Sequence, residues 1–341
     1  MIDVTDRHCR YFHRLLAPQA RLYTEMITTG ALLHGDAARH LDFDAAEHPV
    51  ALQLGGSEPD ALARSARLGA DWGYDEINLN CGCPSERVQS GAFGACLMAE
   101  PRLVADCVRA MQDAVSVPVT VKHRLGLDYQ ESYGFVRDFV GTLYDAGCRV
   151  FIAHARNAVL KGLSPKDNRE KPPLRYDEVL RLKQDFPDAR IILNGGLAQV
   201  PDCVAWMQRL DGVMLGRAAW HHPDILAVLD RHLTPHEVLE HALELPVDDA
   251  AWAESVLERF QAYVVRQHAR GEPLHVLVRG LLGWRAGRPG ARQWRRLLSD
   301  PKALRAEGPT VLRRAWDQLT AGSAQDLRAD VPASSVGQSR M

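Results

Sequence analysis

Short apolar runs alternate with segments of helical periodicity over the first two-thirds of the chain. The strand-like runs occupy residues 22–28, 49–55, 76–81, 117–122, 149–154, 190–194 and 212–215. Between them lie segments such as 58–68 and 101–114, in which apolar residues recur at helical spacing. Strands that alternate with helices predict parallel βαβ units, and seven strands in about 220 residues predict an α/β fold of the (β/α)8 TIM-barrel type.

The first strand of this barrel is nearly absent from the sequence. Met1 is followed at once by Ile2-Asp3-Val4-Thr5-Asp6, which is typical of the loop after a strand. We therefore expect the natural start to lie upstream, so that the first strand is truncated and the barrel is short of one wall.

The strand pattern stops near residue 235. Helices are predicted at 251–269, 274–282 and 291–298, separated by segments that contain Gly and Pro. Residues after 321 lack both periodicity and aromatic side chains. The sequence thus predicts a catalytic TIM-barrel domain at 1–234, a small all-helical domain at 235–320 and a disordered tail at 321–341.

The composition is that of an ordinary globular protein, with 46% hydrophobic and 25% charged residues. No apolar run is long enough to span a bilayer and no signal segment begins the chain, so we expect a cytoplasmic protein without a membrane partner. The seven cysteines are scattered, which argues against a disulfide framework. Cys81 and Cys83 have no second close pair, so no metal site is expected.

The charge is unevenly distributed although the net charge is only −2. Residues 259–314 carry thirteen Lys or Arg and three Asp or Glu. An acidic body joined to a basic C-terminal unit indicates a polyanionic partner.

Two glycine turns follow the last two predicted strands. They are Asn194-Gly195-Gly196 and Gly216-Arg217. Loops after the seventh and eighth strands of a TIM barrel often bind phosphate, because glycine lets backbone N–H groups approach an anion. Two ordinary turns with a surface arginine are the alternative, but both turns occur where this fold places a phosphate, and FMN fits.

Polar residues end several consecutive strands. They are Gln53, Asn78, Asn80, Lys122, His123, His154 and Arg156. A TIM barrel gathers such residues at its C-terminal mouth, where chemistry is done. Gln53 and Lys122 are able to hydrogen-bond the carbonyls and nitrogens of a flavin ring. The alternative is that each residue, considered singly, is an ordinary polar side chain at the end of a strand.

Cys83 lies in the segment Asn80-Cys81-Gly82-Cys83-Pro84-Ser85 after one of these strands. A cysteine at the barrel mouth can act as a nucleophile or a proton donor, whereas the other cysteines are interpreted as small buried hydrophobic residues. The glycine-rich segment 87–95 is a candidate lid or a long loop. The basic segment 161–171 is a candidate phosphate contact or a solvated loop.

Arginines and tryptophans are interleaved in residues 279–296. This mixture suits RNA phosphates and base stacking, and it equally suits an amphipathic helix with a tryptophan core. We expect the tryptophans inside and several arginines facing RNA.

Taken together, these motifs resemble the tRNA-dihydrouridine synthases, specifically their A subfamily, from Met1 to about Leu319. The segments that carry the resemblance are 5–10, 23–26, 53–56, 78–80, 82–85, 121–124, 154–156, 162–165, 194–196 and 216–217. Cys81 departs from the family, which usually has an aliphatic residue there.

The resemblance implies a flavoprotein that binds tRNA. It implies that NADPH reduces FMN, that the hydride goes to C6 of a D-loop uracil at positions 20 and 20a, and that Cys83 protonates C5. On chemical grounds we also expect Lys122 or His154 to serve as a stabilising cation. We further expect a monomer without a metal. The implied flavin contacts are Met1, Ile2, Gln53, Lys122, His154, Asn194, Gly195, Gly196, Gly216 and Arg217. The implied tRNA contacts are Asn80, Lys166, Arg169 and Arg279.

Two other functions stay open at this point. One is an FMN-dependent reductase of a free pyrimidine or another small alkene, which leaves the basic C-terminal unit unexplained. The other is a tRNA-binding protein with impaired catalysis.

Overall fold

The computed structural model describes residues 1–85, 91–233 and 250–329. These residues divide into two compact units. The first unit contains residues 1–219 and 225–233, and the second contains 220–224 and 250–329. The predicted domain boundary between residues 234 and 235 falls within residues 234–249, which lie outside the described part of the chain.

The first unit is built on one parallel sheet. Its strands are β1 (Leu22–Thr28), β2 (Val50–Gly55), β3 (Glu76–Cys81), β4 (Val119–Leu127), β5 (Val150–Ala158), β6 (Arg190–Asn194) and β7 (Gly212–Met214). They pair in sequence order, each parallel to the next. The fold is the expected TIM-barrel class, with seven strands in a curled sheet and a helical C-terminal region.

Helices follow most strands, as the alternating pattern predicts. Up to residue 233 they are α1 (Arg7–Leu16), α2 (Thr29–His34), α3 (Ala37–Leu41), α4 (Pro59–Trp72), α5 (Pro101–Ala114), α6 (Tyr133–Asp145), α7 (Tyr176–Asp185), α8 (Val200–Met207), α9 (Arg217–His221) and α10 (Asp224–Arg231). β2 and β3 are buried along their whole length, because helices cover one face of a parallel sheet and barrel side chains cover the other.

β4 and β5 are longer than the sequence predicts. The apolar pattern ended them at residues 122 and 154, whereas they continue to Leu127 and Ala158. The added residues include Arg124 and Asn157, which are buried and hydrogen-bonded. Polar residues whose side chains form hydrogen bonds with residues distant in sequence interrupt the apolar pattern without ending the strand.

Helix α1 is buried from His8 to Leu16 although much of it is polar. Arg10 Nε donates to Glu47 Oε2 over 2.6 Å, and these side chains are 5% and 0% exposed. Arg14 donates to the backbone carbonyls of Ala17 and Glu47. Both arginines therefore connect α1 to the segment that leads into β2.

The second unit consists of helices around a tryptophan core. Its helices are α11 (Ala250–Ala269), α12 (Leu274–Val278), α13 (Ala291–Leu298), α14 (Pro301–Glu307) and α15 (Val311–Ala329). Trp284 stacks on Trp316 at 5.3 Å between ring centroids, and Trp294 meets Trp284 edge-on at 6.0 Å. The prediction that the tryptophans lie inside is confirmed, and three arginines of α13 are exposed (Arg292, Arg295 and Arg296).

Helix α15 continues through Ala329, past the point where a disordered tail was expected to begin. Residues 321–329 include Ala, Gln, Leu and Arg, which favour helix, and extending an existing helix costs less than starting one. Residues 330–341 of the expected tail lie outside the description. No helix in the described part of the chain is long and apolar enough to cross a membrane.

The Arg10–Glu47 pair gives a stability prediction. Replacing Glu47 with Gln leaves the Arg10 charge buried and without its counter-ion, so the free energy of unfolding should fall by about 3–5 kcal/mol. Urea titration measures the change. The control is Asp42→Asn, which removes the partner of Arg7 in an ion pair whose side chains are 24% and 55% exposed, and should cost about 0–1 kcal/mol. Equal effects of the two substitutions would contradict this account.

Candidate active site

The polar strand-end residues lie side by side in the sheet. Gln53 pairs with Asn78, and Asn80 pairs with Lys122. His154 pairs with Arg124 on one side and with Asn194 on the other. The carboxyl ends of neighbouring strands thus bring these side chains to one mouth of the barrel, which is the usual position of an active site in this fold.

A chain of hydrogen bonds fixes the amides at this mouth. Asn78 Nδ2 donates to Thr120 Oγ1, and Thr120 Oγ1 donates to Glu76 Oε1, over 2.8 and 2.7 Å. Gln53 Nε2 donates to Asn78 Oδ1, and Asn80 Nδ2 donates to Gln53 Oε1, both over 2.8 Å. Each buried amide has a partner, so each side chain has one orientation.

The same chain of hydrogen bonds extends to the loop that carries Cys83. Asn80 Oδ1 accepts from the backbone N–H groups of Gly82 and Cys83, at 3.0 Å each. The Cys83 carbonyl accepts from Ala95 N over 2.9 Å. Cys83 is half-buried, and its Sγ lies 3.5 Å from Ser85 Oγ. The predicted lid at 87–95 lies partly outside the described residues, which resume at Gly91.

Arg124 connects two loops and the end of β5 through backbone carbonyls. Its Nε donates to Gly82 O over 3.1 Å, and its Nη1 donates to Asn157 O and Asn168 O over 3.2 and 2.9 Å. The side chain is 3% exposed. No carboxylate of the described residues pairs with it. Arg124 therefore holds the Cys83 loop against the loop that follows β5.

The environment of Lys122 and His154 lowers the pKa of both side chains. Burial, together with the nearby Arg124 guanidinium, lowers the pKa of Lys122 to about 7. Burial, reinforced by the cations Arg124 and Lys122, brings the pKa of His154 well below its usual value. His154 is therefore neutral at pH 7, which corrects the expectation that it is a cation, whereas Lys122 exists in both forms.

The two glycine turns require the absence of side chains. Gly195 and Gly196 have φ angles of 107° and 71°. A Cβ on Gly195 would lie 2.5 Å from His154 Cδ2, and a Cβ on Gly196 would lie 2.6 Å from Leu174 Cδ1. Tyr176 donates its hydroxyl to the Gly195 carbonyl over 2.7 Å. The backbone of the first turn therefore packs closely against its neighbours in a way that only glycine allows.

The second turn lies beside the start of the chain. A Cβ on Gly216 would lie 3.2 Å from Met1 Sδ. The Arg217 side chain is 41% exposed and donates to Glu170 Oε1 over 2.6 Å and to Arg169 O over 3.3 Å. Neither contact is buried, so an incoming anion can compete for this guanidinium.

A sequence model of the family described as "Dihydrouridine synthase (Dus)" matches residues 1–319. The chain belongs to the dihydrouridine synthase family.

Relatives agree with this membership over nearly the whole chain. A Pseudomonas putida protein named tRNA-dihydrouridine(20/20a) synthase is 53% identical over 319 residues, which cover 94% of this chain and 92% of the relative. A Pseudomonas aeruginosa protein of the same name is 53% identical and covers 94% and 93%. A Synechocystis protein of that name is 51% identical over 315 residues and covers 92% and 91%.

The structure brings most of the predicted site residues of this family member together in the first unit. Met1 and Ile2 are 36% and 53% exposed, and the Met1 ammonium donates to Thr5 Oγ1 over 2.6 Å. Lys166 and Arg169 lie exposed in the loop after β5. Arg279 lies in the second unit and is half-buried. Among the described residues, no cluster of His, Cys, Asp or Glu is arranged to hold a metal ion.

Sequence reasoning missed several residues that organise the mouth. Arg124 and Thr120 share a strand face with Lys122, and Glu76 shares one with Asn78. Side chains alternate along a strand, so counting in steps of two from the proposed residues identifies them. Glu170, the partner of Arg217, has no comparable signal.

Arg124→Lys tests the loop connection. A lysine ammonium cannot reach three carbonyls in the fork geometry of a guanidinium. Hydrogen exchange should become about tenfold or more faster at Gly82–Cys83 and around Asn168, because a hydrogen bond to a charged group contributes roughly 1.5–3 kcal/mol. Mass spectrometry of peptides measures this exchange. Exposed Arg109→Lys is the control, and unchanged protection in Arg124→Lys would refute the connection.

Lys122 should titrate near neutral pH. Its pKa in the folded protein is about 7, so raising the pH through 7 converts the cation to the amine. Acetylation of Lys122, followed by peptide mass spectrometry, should increase with a midpoint near pH 7. The urea-unfolded protein is the control, because its Lys122 should react with a midpoint near the free value of about 10.4. A folded-state midpoint close to that value would contradict the burial argument.

Proposed function

We propose that this protein reduces uridine to 5,6-dihydrouridine in the D-loop of tRNA, at positions 20 and 20a, using FMN and NADPH. Family membership and the names of the relatives support the reaction and the substrate. The observation that carries the proposal is the position of Cys83 at the barrel mouth, in a loop that is oriented by Asn80 and bound by Arg124 through the Gly82 carbonyl.

The residues at the mouth fit FMN. Gly195 and Gly196 leave backbone open where a Cβ would collide with its neighbours, and a Cβ on Gly216 would crowd Met1 Sδ. Arg217 has partners that a phosphate can replace, and Gln53 and Lys122 keep donors for a polar ring edge. The residues that we expect to hold the cofactor are Met1, Ile2, Gln53, Lys122, His154, Asn194, Gly195, Gly196, Gly216 and Arg217. When bound, FMN supplies the hydride for C6 of the uracil.

The chain's own residues provide the proton and the charge stabilisation. Cys83 gives its thiol proton to C5, which leaves a thiolate in the loop. Lys122 and Arg124 have no carboxylate partner among the described residues, and Arg124 binds the Cys83 loop through the Gly82 carbonyl, so they are placed to balance negative charge that the reaction creates. In its protonated form, Lys122 also stabilises negative charge that develops on the uracil O4.

The uridine must leave the RNA stack to reach Cys83, and a loop base is easier to extrude than a helical one. Asn80, Lys166 and Arg169 are the proposed tRNA contacts of the barrel. Arg279 is the proposed contact of the helical domain, which we place at 235–320, after a barrel domain at 1–234. Exposed arginines of α13 give this domain the basic character that tRNA binding requires.

The decisive experiment is mass spectrometry of nucleosides from unmodified tRNA incubated with the protein, FMN and NADPH. The wild-type protein should convert D-loop uridine to dihydrouridine. Cys83→Ala should lose most of this conversion, by about 100-fold or more as for loss of a general acid, while it retains flavin and tRNA affinity.

Cys96→Ala is the matched control, because Cys96 is also half-buried and its Sγ donates to the Phe93 carbonyl. This variant should turn over normally. Full conversion by Cys83→Ala would refute the assigned role. If wild type reduces free pyrimidines but not tRNA, it is a small-molecule reductase; if it binds tRNA without any conversion, it is a binding protein.

A further inference from the structure

The two longest strands form an arm at the barrel mouth. β4 and β5 each contain nine residues, against three to seven in the other strands. They remain paired to the end, where Leu127 lies opposite Ala158. At roughly 3.3 Å per residue, the end of β4 lies on the order of 15 Å beyond Lys122 along the strand.

The turn after β4 is tightly anchored to this arm. Asp128 N donates to Ala158 O, and Asp128 Oδ1 accepts from Leu160 N, both over 2.7 Å. Leu127 and Gln130 exchange two backbone hydrogen bonds of 3.2 and 2.9 Å. Four bonds around one short turn leave its backbone little freedom.

Three further features show that the sequence specifies this backbone conformation. Asp128 has a φ of 50°, a left-handed conformation that costs energy for a residue other than glycine. Gly126 has no side chain where a Cβ would lie 2.5 Å from both Gln130 O and Asn157 Oδ1. Arg175 Nη1 also donates to the Glu131 carbonyl over 2.5 Å.

This anchored turn presents Tyr129, whose exposure is 100%. The Tyr129 side chain forms no hydrogen bond or ring contact with any described residue. The other seven tyrosines are buried or half-buried. The structure therefore uses a strained, well-anchored backbone to hold an aromatic ring that contributes nothing to the fold.

We propose that Tyr129 is a stacking platform for a tRNA base adjacent to the target uridine. This inference rests on the proposed function. Extruding the uridine breaks its stack and leaves neighbouring bases with open faces, and such bases commonly stack on tyrosine. The tip of the arm is a suitable place, because the polynucleotide must cross the rim while one base descends towards Cys83.

The charges around Tyr129 favour a base over a phosphate. Asp128 and Glu131 lie within two residues of Tyr129 in the same turn, and the Glu131 side chain is exposed, so a phosphate is disfavoured at the turn itself. Lys161 and Lys166 lie exposed in the loop that continues from Leu160. Phosphates are therefore bound by this basic loop, while the ring of Tyr129 contacts the base.

The test measures the affinity of unmodified tRNA at several salt concentrations. Tyr129→Ala should weaken binding about five- to tenfold, at the lower end of base–aromatic stacking, with an unchanged dependence on salt. Tyr129→Phe should bind like wild type, because stacking needs the ring and not the hydroxyl. Lys161→Ala should weaken binding and reduce the salt dependence, since it removes a phosphate contact.

Trp72→Ala is the matched control. Trp72 is the other exposed large aromatic side chain of the described residues, at 43%, and it ends α4 just before β3 begins, at the opposite end of the barrel. This variant should bind tRNA normally. Flavin content and the melting temperature should be the same in Tyr129→Ala and wild type.

A tRNA with an abasic nucleotide on either side of the target uridine locates the partner base. When the abasic nucleotide replaces the base that stacks on Tyr129, wild type and Tyr129→Ala should bind this tRNA with equal affinity, because the stacking contact is already lost in both. Tyr129→Ala that binds tRNA as tightly as wild type would overturn the stacking proposal, and so would Tyr129→Phe that binds as weakly as Tyr129→Ala. The proposal would also fail if Tyr129→Ala lost the binding of another protein while its tRNA affinity stayed unchanged. Wild-type protein that binds tRNA but forms no dihydrouridine would refute only the proposed function.

Discussion

The hydrogen-bond chain from Glu76 to the Cys83 loop is the constraint on which the site depends. Its side-chain links from Glu76 to Asn80 are buried, so removal of one partner would leave another amide or hydroxyl unsatisfied at a cost of roughly 1–3 kcal/mol. Asn80 is the last link, since its amide nitrogen binds Gln53 and its oxygen binds the backbone of Gly82 and Cys83. The direction of the Cys83 loop is therefore set by residues at the floor of the barrel.

A second property of the mouth is that Lys122 and Arg124 place positive charge there without matching carboxylates. Lys122 and Arg124 make no ion pair with a described residue, and burial lowers the pKa of both. Charge that is buried without a partner is unfavourable, so the mouth is energetically suited to anions. This property fits a cofactor phosphate, an RNA backbone and a thiolate equally well, and it accounts for why the proposed reaction concentrates all three in one place.

The sequence predicts the seven strands to within two residues at most ends, because buried parallel strands are apolar throughout. It also predicts the strand-end residues Gln53, Asn80, Lys122 and His154, which interrupt apolar runs. It does not predict the extensions of β4 and β5, or the partners of Arg124. Those partners lie 33 to 44 residues away in sequence, and they are backbone carbonyls, which leave no trace in residue type.

The use of backbone carbonyls as anchors has a consequence for how this site is built. Arg124 contacts Gly82, Asn157 and Asn168 through groups that every residue type possesses. A few side chains add to this anchoring: the Asn168 amide bonds the backbone of Val159 and Leu163, and Asn80 Oδ1 accepts from the backbone of Gly82 and Cys83. The side chains of Cys83, Lys166 and Tyr129 make none of these anchoring contacts, so substitutions there change chemistry or binding while the loop framework persists. At Cys83, Lys166 and Tyr129 the groups that anchor the loop are thus distinct from the side chains proposed for chemistry or binding, whereas Asn80 serves in both.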